Sequence, residues 1–303
     1  MTIGLADVAV TRRGRTILDR ASLELGPGIH GVIGRNGVGK TTLLRVLAGH
    51  MSVDSGTVTG PGAGTNSNEA NNAGQTALGR VAPDVRYAGP TVGTHLDVAA
   101  IGHPTLDRVL ALSILDDAGV GPDSRTKTLS AGQRQLLSVG VALSSGAGSV
   151  LLDEPFTGLD VGLRHDLRDR IIGVAANRPG MCLVLTSHRS EDLAGLVDDV
   201  TTISDSGIVA GPIALDAARH YFPTLRGTSE KVDTIAGDLP RISTRTLGSV
   251  AEVTLARPLS CSAARRAAAE EVTVTHPADD ELIDLLAIHG TPIGNDATGR
   301  NGR

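Results

Sequence analysis

The sequence predicts an α/β fold built on a mostly parallel sheet. The prediction rests on short apolar runs, suited to buried parallel strands, that alternate with segments in which apolar residues repeat at helical spacing. The apolar runs lie at residues 29–33, 149–152 and 181–185, and helical segments follow the first two at 42–48 and 162–174. Such alternation favours βαβ units over an all-helical or an all-strand fold.

Changes in composition and in apolar periodicity divide the chain into regions. Residues 1–222 carry the alternating pattern, and residues 91–145 within them are predicted to form a helical subdomain. Residues 60–77 are rich in glycine, asparagine, alanine and serine without an apolar period, which predicts a flexible surface insertion. Residues 223–289 combine strand-like alternation with an amphipathic helix and are predicted to form a small α+β domain. The polar residues 290–303 are predicted to be disordered.

The composition limits the function classes. The chain has 303 residues, of which 40% are hydrophobic and 20% charged, so it is long enough for a substantial core. Only 1% of the residues are aromatic, so the core must be aliphatic. The chain also has almost no aromatic side chains on which the bases of a nucleic acid could stack. The formal net charge is -5, with no long run of one sign. We therefore expect no nucleic-acid partner.

Cysteine usage and hydropathy indicate the compartment. The two cysteines, Cys182 and Cys261, lie far apart and form no metal-binding spacing, which favours a reduced, cytoplasmic setting. The N-terminus has no signal-peptide pattern, because its apolar stretch is broken by Asp7. No run approaches the roughly 20 apolar residues that a membrane helix requires, so we expect any work at a membrane to need a partner.

A glycine-rich stretch, residues 34–42 (GRNGVGKTT), stands between the first apolar run and the helix that follows it. It has the spacing G-x-x-x-x-G-K-[ST], in which backbone NH groups and a helix start, with about half a unit of positive charge, face an anion. Lys40 is predicted to reach the outer phosphates and the Thr41 hydroxyl to bind magnesium. The alternative is a glycine-rich turn without a ligand. The predicted nucleotide-contacting residues of the loop are Gly34, Arg35, Asn36, Gly37, Gly39, Lys40, Thr41 and Thr42.

A pair of carboxylates, Asp153 and Glu154, follows the second apolar run. They stand at the carboxyl end of the predicted strand, where α/β sheets bind their ligands. Asp153 is predicted to hold magnesium through water, and Glu154 to accept a proton from an attacking water. The alternative is an ordinary solvated strand end, but together with Lys40 the pair indicates a nucleotide site.

A third motif decides the family. Residues 129–135 (LSAGQRQ) resemble the LSGGQ signature of ATP-binding cassette (ABC) proteins and precede Asp153, as in that family. Residues 157–160 (TGLD) are similar to the family's D-loop, and His188 is similar to its switch histidine. The motifs follow the family's order over residues 1–215. The resemblance implies a P-loop NTPase fold of ABC type, with antiparallel N-terminal strands, a mostly parallel core and a helical signature subdomain.

The resemblance also implies ATP and Mg²⁺ as cofactors and a head-to-tail dimer, homo or hetero, in which each ATP is shared. One subunit would contribute the phosphate loop, the catalytic Glu154 and His188, which would contact the γ-phosphate. The opposite subunit would close the site with Ser130, Gly132 and Gln133. A helix that starts near Ser130 presents NH groups and a hydroxyl to an anion, and closure excludes water. The alternative use of Ser130 is an ordinary helix cap.

The sequence departs from the family pattern near the predicted metal. Family members usually carry a glutamine that touches magnesium and the attacking water, and Asp84 is predicted to stand in its place. Gln75, inside the predicted insertion, is the alternative candidate. A carboxylate still binds magnesium, but it adds negative charge near the γ-phosphate. We therefore expect altered turnover or coupling.

A second departure concerns the base. The family's adenine-stacking aromatic is missing, and by spacing Arg12 or Arg13 stands there. Stacking is worth about 0.5 to 1.5 kcal/mol, whereas each charged phosphate contact contributes about 1.5 to 3 kcal/mol. Nucleotide binding is expected to survive, weaker and less selective for the base. In the signature Ala131 replaces a glycine, while Gly132, which allows close approach, is kept.

The end of the chain points to a subfamily. Residues 273–290 (TVTHPADDELIDLLAIHG) resemble the end of ATPases that serve two-component exporters, with a generic accessory domain as the alternative. The predicted function is the ATP-hydrolysing subunit of an ABC transporter, peripheral on the cytoplasmic face of the membrane and driving a separately encoded permease, with export favoured over import. The alternatives are a soluble ABC ATPase acting on nucleic acid or ribosomes and a weakly hydrolysing regulatory ATP binder.

Overall fold

The chain divides into two compact units in a computed structural model that describes residues 2–60, 76–80 and 87–290. The first unit is Met1–Pro212 and the second is Ile213–Arg303. The domain boundary predicted after residue 222 therefore falls inside the second unit. Among the described helices, none is both long and apolar enough to cross a membrane.

Some of the sequence predictions fall outside the described residues. Asp84 and Gln75, the two candidates for the family's glutamine, are among them, and so is the predicted disordered tail apart from Gly290. Of the predicted insertion, residues 60–77, only Gly60 and the last two residues are described. Those last two residues form the start of a strand.

The first unit contains nine described strands and six α-helices, which alternate along most of its length. The strands are β1 (Ile3–Arg12), β2 (Arg15–Leu25), β3 (Gly28–Ile33), β4 (Ser55–Thr59), β5 (Thr76–Gly79), β6 (Ser149–Asp153), β7 (Cys182–Ser187), β8 (Asp199–Ile203) and β9 (Val209–Ala214), the last of which ends two residues beyond Pro212. The helices are α1 (Lys40–Leu47), α2 (Val92–Gly102), α3 (Arg108–Asp116), α4 (Ala131–Ser144), α5 (Val161–Asn177) and α6 (Ser190–Leu193).

The strands form two sheets. An antiparallel sheet has the order β2-β1-β4, and a six-stranded sheet has the order β5-β6-β7-β3-β8-β9, in which the neighbours from β5 to β8 are parallel. The predicted α/β fold, with a parallel core and antiparallel N-terminal strands, is confirmed. In the register of the core, Ile33 of β3 lies opposite Ser187 of β7, and Asp153 of β6 lies opposite Thr186. The carboxyl ends of three strands therefore meet at one edge.

Helix α1 anchors this edge to the core. Its apolar residues Leu43, Leu44 and Leu47 are at most 1% exposed and pack with side chains of β1, β2 and the central strands in one aliphatic cluster. Complete burial of such a side chain contributes roughly 1.5 to 3 kcal/mol. The helix therefore holds the preceding glycine-rich loop against the carboxyl end of β3.

A buried ion pair between His30 of β3 and Asp199 of β8 links the two strands shortly before the glycine-rich loop. The side chain of His30 is 7% exposed, its Nδ1 lies 2.9 Å from Asp199 Oδ2, and its Nε2 lies 2.9 Å from the carbonyl of Gly26. Both ring nitrogens therefore face acceptors, which suits the protonated ring. Burial alone lowers the pKa of His30, but hydrogen bonds to Asp199 and Cys182, the charge of Asp199 and the Gly26 carbonyl outweigh it and raise the pKa to about 10.

This pair makes the stability of the protein depend on pH. The folded pKa of about 10 lies above the ordinary value of 6.5, so the contribution is fully present below about pH 6.5 and is lost as the pH rises through about 10. Within that window the free energy of unfolding is expected to fall by at most about 1.4 kcal/mol per pH unit from this group. Urea unfolding at several pH values measures the slope, and His30→Gln should remove it. An equal slope in the wild type and the variant would contradict the assignment.

The second unit has a βαββαβ order followed by a further helix. Its strands are β10 (Thr224–Thr228), β11 (Arg241–Leu247), β12 (Val250–Leu255) and β13 (Thr273–Thr275), and its helices are α7 (Leu215–Ala218), α8 (Ser229–Ala236), α9 (Cys261–Ala269) and α10 (Asp279–His289). The antiparallel sheet has the order β11-β12-β10-β13, which is the ferredoxin-like arrangement. Leu225, Val232 and Val253 are completely buried in its own core.

Candidate active site

The glycine-rich loop has the backbone that an anion cradle needs. Gly37 has a φ of 78° and Gly39 a φ of 128°, values that L-residues with a side chain rarely adopt. Helix α1 begins directly after Gly39, at Lys40. A cavity of about 420 Å³ lies over the loop and is lined by Asn36, Gly37, Gly39, Lys40, Thr41, Thr42, Ile17, Glu154, Thr157 and His188. The free NH groups at the start of α1 therefore border the cavity.

Lys40 is folded back onto its own loop. Its ammonium nitrogen donates to the carbonyl of Gly34 at 2.7 Å and to that of Arg35 at 3.2 Å, and it lies 3.1 Å from Glu154 Oε1. The side chain is only 5% exposed. An ammonium has three donors, so these partners occupy all of them. A phosphate that enters the cavity must replace at least one of these contacts.

Asp153 lies at the end of β6 in a shell of donors. Its Oδ2 accepts from the Thr41 hydroxyl at 2.7 Å, and its Oδ1 accepts from the Thr186 hydroxyl at 2.8 Å. Arg80 Nε lies 3.2 Å from the same Oδ2. The carboxylate is only 6% exposed, so these contacts compensate a charge that would otherwise be costly to bury.

Glu154 is held from both sides in a rare backbone conformation. Its φ of 51° places a non-glycine residue in the left-handed region, and its NH donates to Thr186 Oγ1 at 2.9 Å. Glu154 Oε2 lies 2.6 Å from His188 Nδ1, while Oε1 faces Lys40. The structure therefore brings together the predicted catalytic residues Lys40, Glu154 and His188. Their roles stay predictions.

The oxygen donors at this edge fit a magnesium ion. Magnesium prefers hard oxygen ligands, and the Thr41 hydroxyl and Asp153 carboxylate already lie within 2.7 Å of each other beside the phosphate cavity. The predicted third ligand, Asp84, lies outside the described residues. The described part of the site thus supplies a hydroxyl and a carboxylate, two of the three predicted ligands, and their binding of magnesium stays a prediction.

The signature residues begin α4 with a capping box. Ser130 Oγ accepts from the NH of Gln133 at 3.2 Å, and Gln133 Oε1 accepts from the NH of Ser130 at 2.9 Å. The alternative reading of Ser130 as a helix cap is therefore what the single chain contains. A capping hydroxyl acts as an acceptor, so its own hydrogen remains available to donate to a phosphate. Capping and phosphate binding in a dimer are compatible.

Gly132 is required within the chain itself. A Cβ at this position would lie 2.7 Å from the carbonyl oxygen of Gly158, in the segment predicted to resemble the D-loop. Gln133 also donates to the carbonyl of Ala118 at 3.2 Å. None of the three predicted signature residues lines the described cavity over the phosphate loop. Their contact with nucleotide stays a prediction that requires a second subunit.

Two residues that support the carboxylates were not predicted from the sequence. Gln135, 6% exposed on α4, donates to the carbonyl of Glu154 at 3.2 Å. Thr186, completely buried at the end of β7, links the side chain of Asp153 to the backbone of Glu154. Gln135 lies within the quoted signature stretch, and Thr186 precedes Ser187 and His188. The parallel register of β6 and β7 was needed to place Thr186 beside Asp153.

The structure places Ile17, and not an arginine, beside the phosphate loop. Ile17 of β2 lines the cavity, and its carbonyl lies 3.1 Å from the position of a Cβ built on Gly39. Arg12, one of the two residues predicted by spacing, donates to the carbonyl of Ser52 and pairs with Asp54. Arg13 is exposed in the turn between β1 and β2. Ile17 is therefore the residue of β2 that borders the phosphate cavity, and the assignment of Arg12 or Arg13 to the place of the missing aromatic stays a prediction.

This geometry predicts that Ile17→Tyr strengthens ATP binding. A ring at this position can stack on adenine, a contact worth about 0.5 to 1.5 kcal/mol, so the dissociation constant for ATP should fall by up to about tenfold. The affinity for inorganic triphosphate, which has no base, should not change. Arg13→Tyr is the matched control, and an equal gain from that variant would show that the base lies elsewhere. Calorimetric titration measures each affinity.

Comparison with known proteins agrees with the motifs. Residues 18–157 match the ABC transporter family. The chain is 35% identical over 215 residues to the aliphatic sulfonates import ATP-binding protein of Ralstonia nicotianae, across 69% of this chain and 70% of that protein. It is 33% identical over 233 residues to the zinc import ATP-binding protein of Halorhodospira halophila, across 72% of this chain and 80% of the relative.

A solved structure agrees in fold. The dimeric post-hydrolysis ATP-binding cassette bound to ADP and Pi superposes with a TM-score of 0.61 over 70% of this chain and 98% of that chain. The sequence identity of this pair is 16%. At this identity the likeness concerns the fold alone.

Proposed function

Because the chain belongs to the family of ABC transporter ATP-binding proteins, which bind and hydrolyse ATP, we propose that it powers a separately encoded membrane permease by closing as a dimer on ATP. The observation that carries the proposal is the convergence of Lys40, Thr41, Asp153, Glu154 and His188 on the edge where the phosphate cavity lies. We propose Mg²⁺ as the metal and ATP as the nucleotide.

The contacts of Lys40 suggest how nucleotide binding prepares hydrolysis. Without a phosphate, Lys40 pairs with Glu154 Oε1. A γ-phosphate offers the ammonium a stronger, more highly charged partner. When Lys40 turns towards it, Glu154 loses this partner and its oxygen becomes available to a water. Nucleotide binding and release of the general base are therefore the same event.

Glu154 is positioned to accept the proton of the attacking water. Its backbone is fixed by Thr186 and its carbonyl by Gln135, so the carboxylate starts from a defined place. His188 lies 2.6 Å from Oε2, while Oε1 lies 3.1 Å from the Lys40 ammonium. We propose that this histidine, which lines the cavity over the loop together with Glu154, would also contact the γ-phosphate of a bound ATP. General-base catalysis of this kind contributes about 10² to 10⁴ in rate.

Magnesium, when bound, neutralises developing charge on the β- and γ-phosphate oxygens. Thr41 and Asp153 are the described residues that would hold it. Thr186 keeps Asp153 oriented through its other oxygen, so Oδ2 faces the start of α1. The chain thus fixes the position of both ligand side chains through the ends of β6 and β7.

The signature residues supply the second half of the site. We propose that Ser130, Gly132 and Gln133 of one subunit cover the ATP on the phosphate loop of the other. The start of α4 offers NH groups with a partial positive charge and a hydroxyl hydrogen, all suited to a phosphate. Gly132 packs so closely on Gly158 that a Cβ built on Gly132 would lie 2.7 Å from the Gly158 carbonyl oxygen. We propose that closure of the dimer at the signature therefore also moves the segment that follows Glu154.

The proposed location is the cytoplasmic face of the membrane, held there by the permease. The function is tested by measuring phosphate release from ATP with and without Mg²⁺, and by fractionating cells that express the tagged chain. We expect Mg²⁺-dependent release of phosphate. We also expect the chain in the membrane fraction, from which an alkaline wash should extract it while the permease stays in the membrane. Failure to release phosphate would contradict the proposal. Recovery of the chain only in the soluble fraction of cells that also produce the permease would contradict it as well.

The direction of transport has evidence on both sides. The resemblance of residues 273–290 to two-component exporter ATPases favours export, whereas the two relatives named above are import proteins. We propose export. Cells that carry Glu154→Gln should then retain the transported compound inside, compared with wild-type cells. Depletion of a compound inside the variant cells, with its accumulation in the medium, would instead indicate import.

A further inference from the structure

The metal site contains a cation of its own. Arg80 Nε lies 3.2 Å from Asp153 Oδ2, the oxygen that also accepts from the Thr41 hydroxyl at 2.7 Å. We propose that, in the nucleotide-free protein, the Arg80 guanidinium pairs with Asp153 at the place that a divalent cation takes when metal-nucleotide binds. Arg80 thereby competes with Mg²⁺ for Asp153. The inference rests on the proposed function, since it concerns the same site.

The fold places Arg80 there by strand register. Strand β5 pairs in parallel with β6, and Gly79 lies opposite Leu152. The next residues along the chain are Arg80, directly after β5, and Asp153, the last residue of β6, so the pairing brings the two residues side by side. The carbonyl of Arg80 accepts from the Ser138 hydroxyl of α4 at 3.0 Å, which fixes the backbone at this point.

The charges of the site require a cation at this position. Asp153 and Glu154 are adjacent carboxylates with side chains only 6% and 23% exposed. Lys40 neutralises Glu154, and in the described residues Arg80 is the basic side chain within ion-pair distance of Asp153. Two buried acids beside a phosphate cavity would repel a triphosphate if they were unpaired. Arg80 therefore permits nucleotide to approach before the metal is in place.

The same contact resists the metal. A magnesium ion held by Thr41 and by Asp153, directly or through water, would take the place beside Oδ2 that the guanidinium occupies, so Arg80 would have to leave this oxygen. Arg80 is 31% exposed, so it has room to swing away once it is released. The site should consequently depend less on Mg²⁺ than one whose aspartate has no resident cation.

The experiment compares nucleotide affinity with and without metal. The dissociation constant of a fluorescent, non-hydrolysable ATP analogue is measured by anisotropy in excess Mg²⁺ and in excess EDTA, for the wild type, Arg80→Ala and Arg80→Lys. In Arg80→Ala we expect weaker binding in EDTA and equal or tighter binding in Mg²⁺. The ratio of the dissociation constant in EDTA to that in Mg²⁺ should therefore rise about tenfold or more. Arg80→Lys keeps the charge and should stay close to the wild-type ratio.

Arg170→Ala is the matched control. Arg170 is 39% exposed and pairs with Asp117, in contact with neither the loop nor the carboxylates, so the ratio should not change. If Arg80 only props Asp153 in place, Arg80→Ala weakens binding in both conditions and the ratio stays constant or falls, which overturns the inference. If the wild type does not bind the analogue in either condition, the proposed function itself fails.

Discussion

Glu154→Gln is expected to lower steady-state ATP hydrolysis by at least about 100-fold while ATP binding is retained. The amide keeps the size of the side chain but cannot accept the proton of an attacking water. It can still contact His188 and Lys40, which the structure places 2.6 and 3.1 Å from the carboxylate oxygens. Release of phosphate measures the rate, and calorimetric titration measures binding.

The control for this prediction is Glu191→Gln. The Glu191 carboxylate is 61% exposed and pairs with Arg189, so removal of its charge should leave hydrolysis within about twofold of the wild type. Retention of wild-type hydrolysis in Glu154→Gln would assign the general base to another group. Loss of ATP binding in the same variant would show instead that Glu154 holds the nucleotide site together.

Lys40→Ala is expected to weaken ATP binding by about 10- to 150-fold. A charged contact to a phosphate contributes about 1.5 to 3 kcal/mol, and no other described lysine borders the cavity. The variant also leaves Glu154 without its ion-pair partner beside the phosphate, which acts in the same direction. Titration with ATP measures the loss, and the melting temperature shows whether the fold is intact.

Lys231→Ala is the matched control for Lys40→Ala. Lys231 lies in the second unit and donates to the carbonyl of Glu270 at 2.9 Å, so it also loses a backbone contact on truncation. ATP affinity should be unchanged in this variant. Unchanged ATP affinity in Lys40→Ala would mean that the phosphates bind away from the glycine-rich loop, and the assignment of the cavity would be wrong.

The fold of the first unit was predictable because its signals are local. The apolar run before Gly34 and the helical spacing of Leu43, Leu44 and Leu47 describe a strand and a helix without any knowledge of distant residues. The motifs then fixed which strand ends carry the chemistry. The α/β fold of ABC type followed from those elements, and the structure and its relatives agree with it.

Contacts between strands were not predictable in the same way. Thr186 supports Asp153 and Glu154 only because β6 and β7 pair in a particular parallel register, and Arg80 reaches Asp153 for the corresponding reason on β5. The position of Ile17 depends on how β2 passes over Gly39. Spacing along the chain contains no information on the bulges between β1 and β2, so it could not show which side chain of β2 lies beside the loop.

The second unit was predicted only in outline. The alternation at β12 and β13 and the apolar face of α10 were visible, whereas β11 has an almost completely exposed pattern and α9 is rich in alanine and arginine. Neither has an apolar period that identifies it. The ferredoxin-like order emerges only from the pairing of β10 with both β12 and β13.

We propose that each ATP site is built from two chains. We design two inactive variants in the Glu154→Gln background, which prevents turnover. One carries Lys40→Ala on the phosphate loop, and the other carries Ala131→Glu at the start of α4. Ala131 is exposed, and an acid in the first turn suits the helix dipole, so this change should spare the fold while its charge repels a phosphate.

Mixing the two variants with ATP, followed by size-exclusion chromatography and assay of the retained nucleotide, tests whether the sites are shared. A head-to-tail dimer of the two chains has one composite site with both defects and one with none. We predict that the mixture forms a dimer that retains ATP, while each variant alone does not. A dimer with ATP from the Ala131→Glu variant alone, or none from the mixture, would contradict a site shared between the phosphate loop and the signature.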